Sequence, residues 1–480
     1  MFKSSNLPKN IHFVGIGGIH MSGIAKILHM RGHKISGSDI NNSSITEHLK
    51  SIGILIYSSH ESNNMLDSEL AVYTSAINSK NPEIIFAQKN NIPIISRSQI
   101  INIVAENKKI VAIGGSHGKT TITTLLSYML LKSNLEPLVL SGGLSADISN
   151  ASRNKIEHKY FRKLENIYDG TGEYAIIEAD EYKDAFLQYN PSILLINNID
   201  DDHLDYFKTT DRLRESFLKF GNSSKKNSLI FLNKDSDDVK KIGTELEKNN
   251  KTIEYYSIEN KADWMAKKIT GNKDGTTSFE LLWKNKKLGS ITTNLSGRHN
   301  ILNLTASIAI AMKIGISFQE TAAILKTFQG IQRRFTTHLH SKEIVVVDDY
   351  AHHPVEIKTT IAAVKIKFPG KKIIGCFQPH TFSRTKYLLD GFISCFKYLD
   401  ELIIAPTYAA RETPDKGIES STLSLSIKDP RNEVADSLEN TIKILEPKIK
   451  PNTVILILGA GDISEIVPII NEKIRKKFNE

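Results

Sequence analysis

The chain has 480 residues, of which 40% are hydrophobic and 24% are charged, a composition typical of a globular protein rather than a disordered or fibrous one. Its formal charge of +9 is compatible with a nucleic acid, a membrane surface or a polyanionic small substrate, but the lysines occur as scattered pairs rather than as a basic stripe. The charge therefore indicates a solvated surface and no nucleic-acid partner, and the lack of long apolar runs excludes a membrane span.

Short β-branched runs alternate with longer stretches of helical periodicity, a pattern typical of βαβ units and parallel sheets, so the predicted fold class is α/β. Glycine clusters at Gly15 and Gly114, and a change of pattern near Phe328, divide the chain into three predicted domains, 1–107, 108–328 and 329–480. The stretch 251–288 is interpreted as surface strands of the middle domain. Strands are predicted at residues 11–14, 34–37, 110–113, 174–177, 193–196, 344–347, 373–377, 402–405 and 454–458.

The first predicted strand leads into a glycine cluster that resembles a dinucleotide-binding loop. Its third glycine is Gly23, whereas the NAD fingerprint would place it at position 20, which is His20. Asp39, after the next strand, lies where an acid contacts a ribose or a base. A nucleoside diphosphate other than NAD therefore fits best, and a tight turn without a ligand is the alternative. The candidate ligand-binding residues of this cluster are Gly15, Gly17, Gly18, Met21, Ser22 and Asp39.

The second glycine cluster is predicted to bind phosphate. Between the strand at 110–113 and an amphipathic helix, the chain reads Gly115-Ser116-His117-Gly118-Lys119-Thr120-Thr121. Glycines let successive N–H groups face phosphate oxygens, Lys119 reaches the terminal phosphates, and Thr120 offers a hydroxyl to Mg²⁺. Because position 113 is Ile, the loop departs from the Walker A spacing. The main hypothesis is an ATP site, and a helix cap with a coincidental lysine is the alternative.

Acidic residues follow two later strands, where metal ligands would be needed. Glu178 directly follows the strand at 174–177, and His203 lies in an aspartate-rich stretch after the strand at 193–196. Mg²⁺ takes one or two protein carboxylates together with substrate phosphates. Thr120, Glu178 and His203 are therefore the predicted metal ligands, whereas solvated acidic loops are the alternative.

The two cysteines, Cys376 and Cys395, have neither the spacing of metal ligands nor that of a redox pair. Both lie in apolar stretches. We therefore expect buried free thiols in a cytoplasmic protein rather than a disulfide.

Taken with four further motifs, these segments resemble the Mur ligases of peptidoglycan synthesis, in the right order over nearly the whole chain. The further motifs are Gly297-Arg298-His299-Asn300-Ile301-Leu302-Asn303, Arg333-Arg334-Phe335, Asp348-Asp349-Tyr350-Ala351-His352-His353-Pro354 and Phe377-Gln378-Pro379-His380. The resemblance implies an N-terminal Rossmann-like domain for a UDP-sugar, a central P-loop ATPase-type parallel sheet and a C-terminal Rossmann-like domain for an amino acid.

Within that family, the first glycine cluster and the last two motifs are similar to the member that adds L-alanine. The resemblance then implies ATP and Mg²⁺ as cofactors, and UDP-N-acetylmuramate and L-alanine as substrates joined through an acyl phosphate. The murein-tripeptide recycling ligase is the alternative within the family. A P-loop switch with a purely conformational output and an NAD oxidoreductase are the alternatives outside it.

The resemblance also implies roles for individual residues. It assigns His299, Asn300, Asn303 and Arg334 to ATP together with the phosphate loop, and Ser75 to the UDP-sugar together with the first glycine cluster. His353, His380 and Arg384 are assigned to the amino acid, and Lys119, His203, His353 and Arg384 to catalysis. At most one of the adjacent His352 and His353 is expected to touch substrate. Thr381 stands where many members have Arg, and no lysine after His203 is assigned as a carbamylated metal bridge.

Overall fold

Three parallel-rich β-sheets follow one another along the chain, as expected for the predicted α/β class. A computed structural model describes residues 2–145, 148, 165–272, 275–328, 330–339, 343–410, 412–413 and 417–478. Every strand predicted from the sequence is confirmed. Each sheet falls within one of the three predicted domain ranges; the exact bounds stay a prediction, and position 329 lies outside the described residues. Among the described residues, no helix combines the length and apolar character that a bilayer crossing needs.

The N-terminal sheet has five parallel strands in the order β3-β2-β1-β4-β5. The strand order reverses at β1, so β2 and β4 flank it and leave a crevice beyond its carboxyl end, where ligands bind in open α/β sheets. The first glycine cluster occupies that crevice. The elements are β1 (Asn10–Val14), α1 (Ile19–Met30), β2 (Lys34–Ser38), α2 (Ser44–Ser51), β3 (Leu55–Tyr57), β4 (Leu70–Tyr73), α3 (Pro82–Lys89), β5 (Ile94–Ser96) and α4 (Arg97–Val104).

The central sheet has ten strands in the order β15-β14-β13-β12-β11-β10-β6-β9-β7-β8. Its interior is parallel, as predicted, whereas β14, β15 and β8 pair antiparallel at its two edges. The elements are β6 (Lys109–Gly114), α5 (Lys119–Lys132), β7 (Leu138–Ser145), β8 (Glu165–Asp169), β9 (Tyr174–Glu178), β10 (Ile193–Ile196), α6 (Leu204–Phe207), α7 (Thr210–Ser223), β11 (Leu229–Asn233), α8 (Asp237–Lys248), β12 (Thr252–Ser257), β13 (Trp264–Gly271), β14 (Thr277–Trp283), β15 (Lys286–Thr293), α9 (Arg298–Ile314) and α10 (Phe318–Leu325).

A two-residue turn, Lys284-Asn285, explains the antiparallel edge. Both residues have positive φ, 47° and 66°, which is the backbone of the tight hairpin turns that join antiparallel strands. A parallel connection would need a crossover of a dozen or more residues. The stretch interpreted as surface strands of the middle domain is thus confirmed as β12 to β15.

The C-terminal sheet has six strands in the order β16-β17-β21-β18-β19-β20, parallel except for β16. Cys376 and Cys395 are buried free thiols, as predicted, and burial raises the pKa of Cys376 to about 12. The elements are β16 (Thr336–Leu339), β17 (Ile344–Asp349), α11 (Pro354–Lys367), β18 (Lys372–Phe377), α12 (Phe382–Tyr387), α13 (Leu389–Cys395), β19 (Glu401–Ile404), α14 (Ser420–Ser426), β20 (Asn432–Val434), α15 (Leu438–Leu445), β21 (Thr453–Leu458) and α16 (Ile466–Phe478).

Helix α5 is buried along almost its whole length between the central sheet and α9. Its apolar residues Ile122, Leu125, Leu126 and Met129 are all fully buried. Burying one such side chain contributes about 1.5–3 kcal/mol. This packing fixes the first turn of α5, and with it the phosphate loop that leads into the helix.

A buried carboxylate organises the N-terminal domain. Glu83 accepts hydrogen bonds from Ser38 (2.6 Å) and Asn64 (2.8 Å) and lies 3.0 Å from His60 and 3.3 Å from His12. Burial alone would raise the pKa of Glu83, but the bonds from His12, Ser38 and Asn64 outweigh it and hold this pKa below its ordinary value. Since Ser38 ends β2 directly before Asp39, the network also fixes the edge of the glycine crevice.

We expect Glu83→Gln to destabilise the N-terminal domain by about 2 kcal/mol, because hydrogen bonds to a buried charged group are lost. That would lower its melting temperature by roughly 10 °C in scanning calorimetry at neutral pH. A depressed carboxyl pKa stabilises the fold above the ordinary value of 4.5, and this contribution disappears as the pH falls. The gap between wild type and variant should therefore narrow below pH 4.5. The exposed Glu61→Gln is the control, and a gap that widens on acidification would contradict the assignment.

Candidate active site

The phosphate loop is held open by two glycines with positive φ, Gly115 (132°) and Gly118 (81°). A Cβ on Gly115 would lie 3.0 Å from the Asn198 nitrogen, and one on Gly118 would lie 2.5 Å from Asn197 Nδ2, so larger residues do not fit. The His117 N–H donates to Asn198 Oδ1 (2.7 Å). The two asparagines, which the sequence prediction did not assign to the site, therefore set the shape of the loop from the end of β10.

Lys119 is largely buried and is paired with an acid that the prediction missed. Its Nζ lies 3.0 and 3.1 Å from the two carboxylate oxygens of Glu181 and also donates to the Gly115 and Ser116 carbonyls. Burial alone would lower the pKa of Lys119, but Glu181, Glu178 and Asp180 raise it. The ammonium group is therefore charged and directed into its own loop.

Two of the three predicted metal ligands lie together. Thr120 Oγ1 donates to both oxygens of Glu178 (3.0 and 3.1 Å), and the Gly142 N–H donates to the same carboxylate (2.7 Å). A hydroxyl and a carboxylate offer the oxygen ligands that Mg²⁺ prefers.

The third predicted ligand, His203, groups with different acids. Its Nε2 lies 3.9 Å from Glu181 Oε1 and 3.9 Å from Asp202 Oδ2, and its ring packs against Tyr182 with 4.9 Å between centroids. In the part of the chain that the structure describes, one group of at least three His, Cys, Asp or Glu residues has its possible metal-ligand atoms within 4.8 Å of one another. This group is Glu181, Asp202 and His203. The donor set suits a divalent cation.

A cavity of about 150 Å³ lies beside the phosphate loop, between the middle and C-terminal domains. His299 in it is partly buried, and burial lowers its pKa to about 4, so its imidazole is neutral. Asp349 is a further lining residue that the prediction did not assign, and it accepts the N–H groups of Phe335 (2.7 Å) and Ala351 (2.8 Å). The predicted ATP-binding residues on its wall are His117, Gly118, Thr121, His299, Asn300, Asn303 and Arg334.

A second cavity, of about 470 Å³, is shared by all three domains. Asn41 reaches it from the first domain, His203 from the middle domain and Arg384 from the third. The Arg384 guanidinium donates to Asp202 Oδ1 (2.9 Å) and to His380 Nδ1 (2.9 Å). Burial alone would raise the pKa of Asp202, but Arg384 and then His203 hold it well below its ordinary value.

The adjacent histidines of the third domain lie on opposite sides of their loop. The His352 ring lies 5.4 Å from that of His380, whereas His353 stacks on His117 at 4.7 Å and caps α11 by accepting the Val355 N–H (3.3 Å). The structure therefore places His380 and Arg384 together and His353 apart from them, against the phosphate loop. His352 is the histidine that packs beside the second cavity's wall.

The predicted UDP-sugar residues divide into a loop and a buried set. The Gly17 N–H donates to Asp39 Oδ2 (2.9 Å), so this carboxylate closes the glycine loop. Met21 and Ser22 are buried in α1; Met21 belongs to the hydrophobic core, and the Ser22 hydroxyl donates to the Ile19 carbonyl. Gly15 and Gly18 lie at the loop itself, with Gly15 at φ 83° and Gly18 directly before α1.

Thr381, which directly follows His380, has an uncommon backbone conformation. Its φ is 65°, which is unfavourable for a β-branched residue and costs about 1–3 kcal/mol. Its hydroxyl accepts the Arg384 N–H (3.4 Å), and its own N–H donates to the Tyr408 carbonyl (3.0 Å). Thr381 therefore caps the short helix α12 that carries Arg384.

Comparisons with known proteins agree over most of the chain. The Mur ligase middle domain matches residues 113–311, the catalytic domain of the Mur ligase family residues 10–109, and the glutamate ligase domain of Mur ligases residues 333–461. The sequence is 40% identical to the UDP-N-acetylmuramate–L-alanine ligase of Clostridium acetobutylicum, covering 96% of this chain and 97% of that protein.

Solved structures resemble the fold over a similar length. The crystal structure of the UDP-N-acetylmuramate–alanine ligase of Thermotoga maritima has a TM-score of 0.78 at 26% identity and covers 98% of this chain and 99% of that one. A murein peptide ligase of Psychrobacter arcticus has a TM-score of 0.70 at 23% identity, covering 97% of this chain and 98% of that one, a likeness of fold alone.

The site histidines are expected to differ in charge. Burial alone would lower the pKa of His117, but Glu356 (3.0 Å), Asp200 and Asp202 raise it above the ordinary 6.5, whereas burial lowers the pKa of His352 to about 3. In ¹³C-histidine NMR of the apo protein, we expect His117 to titrate above pH 6.5. Glu356→Gln should lower the pKa of His117, because the burial effect then faces less opposition.

His117→Gln assigns the resonance, and Glu320→Gln, which changes a glutamate at the start of α10, is the control. A His117 resonance that titrates below pH 6.5 in the wild type would contradict this electrostatic picture.

Proposed function

The chain belongs to the Mur ligase family, and we propose that it is an ATP-dependent ligase that joins L-alanine to the lactyl carboxylate of UDP-N-acetylmuramate in the synthesis of peptidoglycan precursors. The 40% identity to an enzyme of that name over 96% of the chain supports the assignment. The reaction would occur in the cytoplasm, in keeping with the two free thiols.

The observation that carries the proposal is the meeting of three domains at one site. The phosphate loop of the middle domain lines a cavity suited to a nucleotide, and residues of all three domains reach a second, larger cavity. A ligase of this kind has three substrates to bring together, ATP, a sugar acid and an amino acid. A P-loop switch or an NAD oxidoreductase would have no need of Arg384 and His380 at this junction.

A carboxylate is a poor electrophile, so amide formation requires activation. A lactyl carboxylate oxygen would attack the γ-phosphorus of ATP, giving an acyl phosphate and releasing ADP. The free amine of L-alanine would then attack the acyl carbon, inorganic phosphate would leave, and the nitrogen would lose a proton. Each step brings negative groups together, so the catalytic task is mainly positioning and charge compensation.

The residues of this chain would supply both the positioning and the charge compensation. Lys119 would turn from Glu181 to the ATP phosphates, and the loop N–H groups of Gly118 and its neighbours would face the same oxygens. Arg384 offers a planar guanidinium for the alanine carboxylate. His353 would help to hold the third domain against the phosphate loop, on the evidence of its contact with His117.

Two groups of side chains would hold Mg²⁺, Thr120 with Glu178, and His203 with Glu181 and Asp202. Their oxygen-rich donor sets fit this ion. When bound, Mg²⁺ would offset phosphate charge and orient the γ-phosphoryl group.

The alternative within the family is the ligase that takes a tripeptide in place of L-alanine. The curated relatives at 37–40% identity are L-alanine ligases. Among solved structures, the alanine ligase of Thermotoga maritima has a TM-score of 0.78 and the murein peptide ligase of Psychrobacter arcticus one of 0.70. The L-alanine ligase is therefore the preferred assignment.

We expect phosphate release from ATP and Mg²⁺ only when both UDP-N-acetylmuramate and L-alanine are present. Lys119→Met removes the cation that would contact the terminal phosphates, and it should lower kcat by at least about 10²–10³-fold. Lys132→Met, at the exposed end of the same helix, is the control and should match the wild type. Phosphate release from ATP alone would favour the conformational ATPase instead. Glycine and L-serine in the same assay measure selectivity, for which one methyl group supplies about 1–3 kcal/mol.

Arg384→Lys should raise the KM for L-alanine by roughly tenfold or more while leaving the KM for ATP nearly unchanged. Lysine keeps the charge but loses the fork that binds a carboxylate with two hydrogen bonds. Steady-state kinetics with each substrate varied in turn would measure both constants, and the exposed Arg475→Lys serves as the control. An unchanged KM for L-alanine would remove Arg384 from the amino-acid site.

A further inference from the structure

Lys183 is a cation at the contact between the first and middle domains. Its Nζ donates to the Ser75 carbonyl (2.8 Å) and lies 5.4 Å from the centroid of the Tyr182 ring. Among the described residues, no carboxylate lies within ion-pair distance of it. The neighbouring cation, Arg97, is by contrast neutralised by Asp180 (2.6 Å).

These two cations and a set of hydroxyl groups line one cavity of about 280 Å³. Ser75, the predicted UDP-sugar residue, lies on its wall beside Lys183 and Arg97. Ser96 and Ser98 add further hydroxyls. The lining is that of a site for an anion, and Lys183 is the cation in it that pairs with no carboxylate of the described residues.

The backbone that presents Lys183 is strained and anchored. Lys183 (φ 54°, ψ 34°) and Asp184 (φ 57°, ψ 24°) are both left-handed, which is uncommon for two consecutive residues other than glycine. Asp184 accepts hydrogen bonds from the hydroxyls of Tyr206 (2.6 Å) and Ser216. Such a conformation persists only where the surrounding contacts impose it, and strained residues of this kind cluster at functional sites.

Lys183 lies near residues that contact the phosphate loop and the first glycine loop. It follows Glu181, the partner of Lys119, by two residues, and its own partner Ser75 adjoins Thr74, whose Cγ2 would lie 2.9 Å from a Cβ on Gly15. The wall of the cavity is thus connected to both loops, to the phosphate loop through Glu181 and to the first glycine loop through Thr74. For phosphoryl transfer, the acid end of the UDP-sugar would have to approach the phosphate loop from the first glycine loop.

We propose that Lys183 is a substrate-binding residue whose ammonium group pairs with the lactyl carboxylate of the UDP-sugar in the cavity it shares with Ser75 and Arg97. The inference rests on the proposed function. A cation here offsets the repulsion between the carboxylate and the ATP phosphates as the two approach. The diphosphate of the same substrate is also negatively charged and could pair with Lys183. The experiment therefore has to distinguish binding of the carboxylate from binding of the diphosphate.

The test compares Lys183→Met and Lys183→Arg with a matched control, Lys284→Met. Lys284 is also exposed, also left-handed (φ 47°), and its Nζ lies 5.5 Å from the centroid of the preceding Trp283, but it lies on the β14–β15 hairpin. Isothermal titration calorimetry measures the binding of UDP-N-acetylmuramate and of UDP-N-acetylglucosamine, which has the diphosphate but no lactyl carboxylate.

We expect Lys183→Met to weaken binding of UDP-N-acetylmuramate at least tenfold, with no change for UDP-N-acetylglucosamine. Lys183→Arg should restore most of the affinity, and Lys284→Met should match the wild type. Melting temperatures equal to that of the control would show that the variants fold.

An equal loss for both sugars would assign Lys183 to the diphosphate and overturn the proposal, as would no loss relative to Lys284→Met. Wild-type protein that binds the muramate but releases no phosphate with ATP and L-alanine would contradict the proposed function alone. The comparison of the two sugars would still decide the role of Lys183.

Discussion

The ion pair between Lys119 and Glu181 is the interaction on which the rest of the site depends. Burying an ammonium group without a counter-ion would cost several kcal/mol, so the loop lysine can remain charged only beside an acid. Glu181 is itself buried, and burial raises its pKa, so it needs Lys119 in return. The two side chains therefore fix the phosphate loop relative to the end of β9.

The same need for compensation extends from this pair to the other two domains. Asp180 precedes Glu181 and pairs with Arg97 of the first domain, while Asp202, on the neighbouring loop, pairs with Arg384 of the third. Each pair joins residues far apart in the chain and is largely buried. The acids of the middle domain thus hold both outer domains at the site, and a ligand that changes one charge alters the balance for all three.

The sequence was informative where chemistry and local structure coincide. A strand followed by glycines and a lysine predicts the phosphate loop, because each residue type is required within a few positions. The partner of each acidic residue was not predictable from the sequence. Glu178 and Glu181 are three residues apart, yet Glu178 bonds to Thr120 and Glu181 bonds to Lys119. Which way a side chain points after a strand depends on the next turn, here one with left-handed Lys183 and Asp184. Likewise, the pairing of Arg384 with Asp202, 182 positions apart, required the packing of two domains.

Backbone strain marks the same region independently of charge. Of the 17 residues other than glycine with positive φ in the described part of the chain, six are asparagines, which tolerate this conformation. The other eleven include Lys183, Asp184, His203, Lys208, Arg333, Phe335, Thr381 and Ala410, all on segments that form or adjoin the site. Each such residue destabilises the fold, so the contacts around it must compensate, as the hydrogen bonds from Tyr206 and Ser216 do for Asp184. Rigid sheets that meet at strained loops can therefore hold the side chains of the site within a narrower range of positions than relaxed loops could.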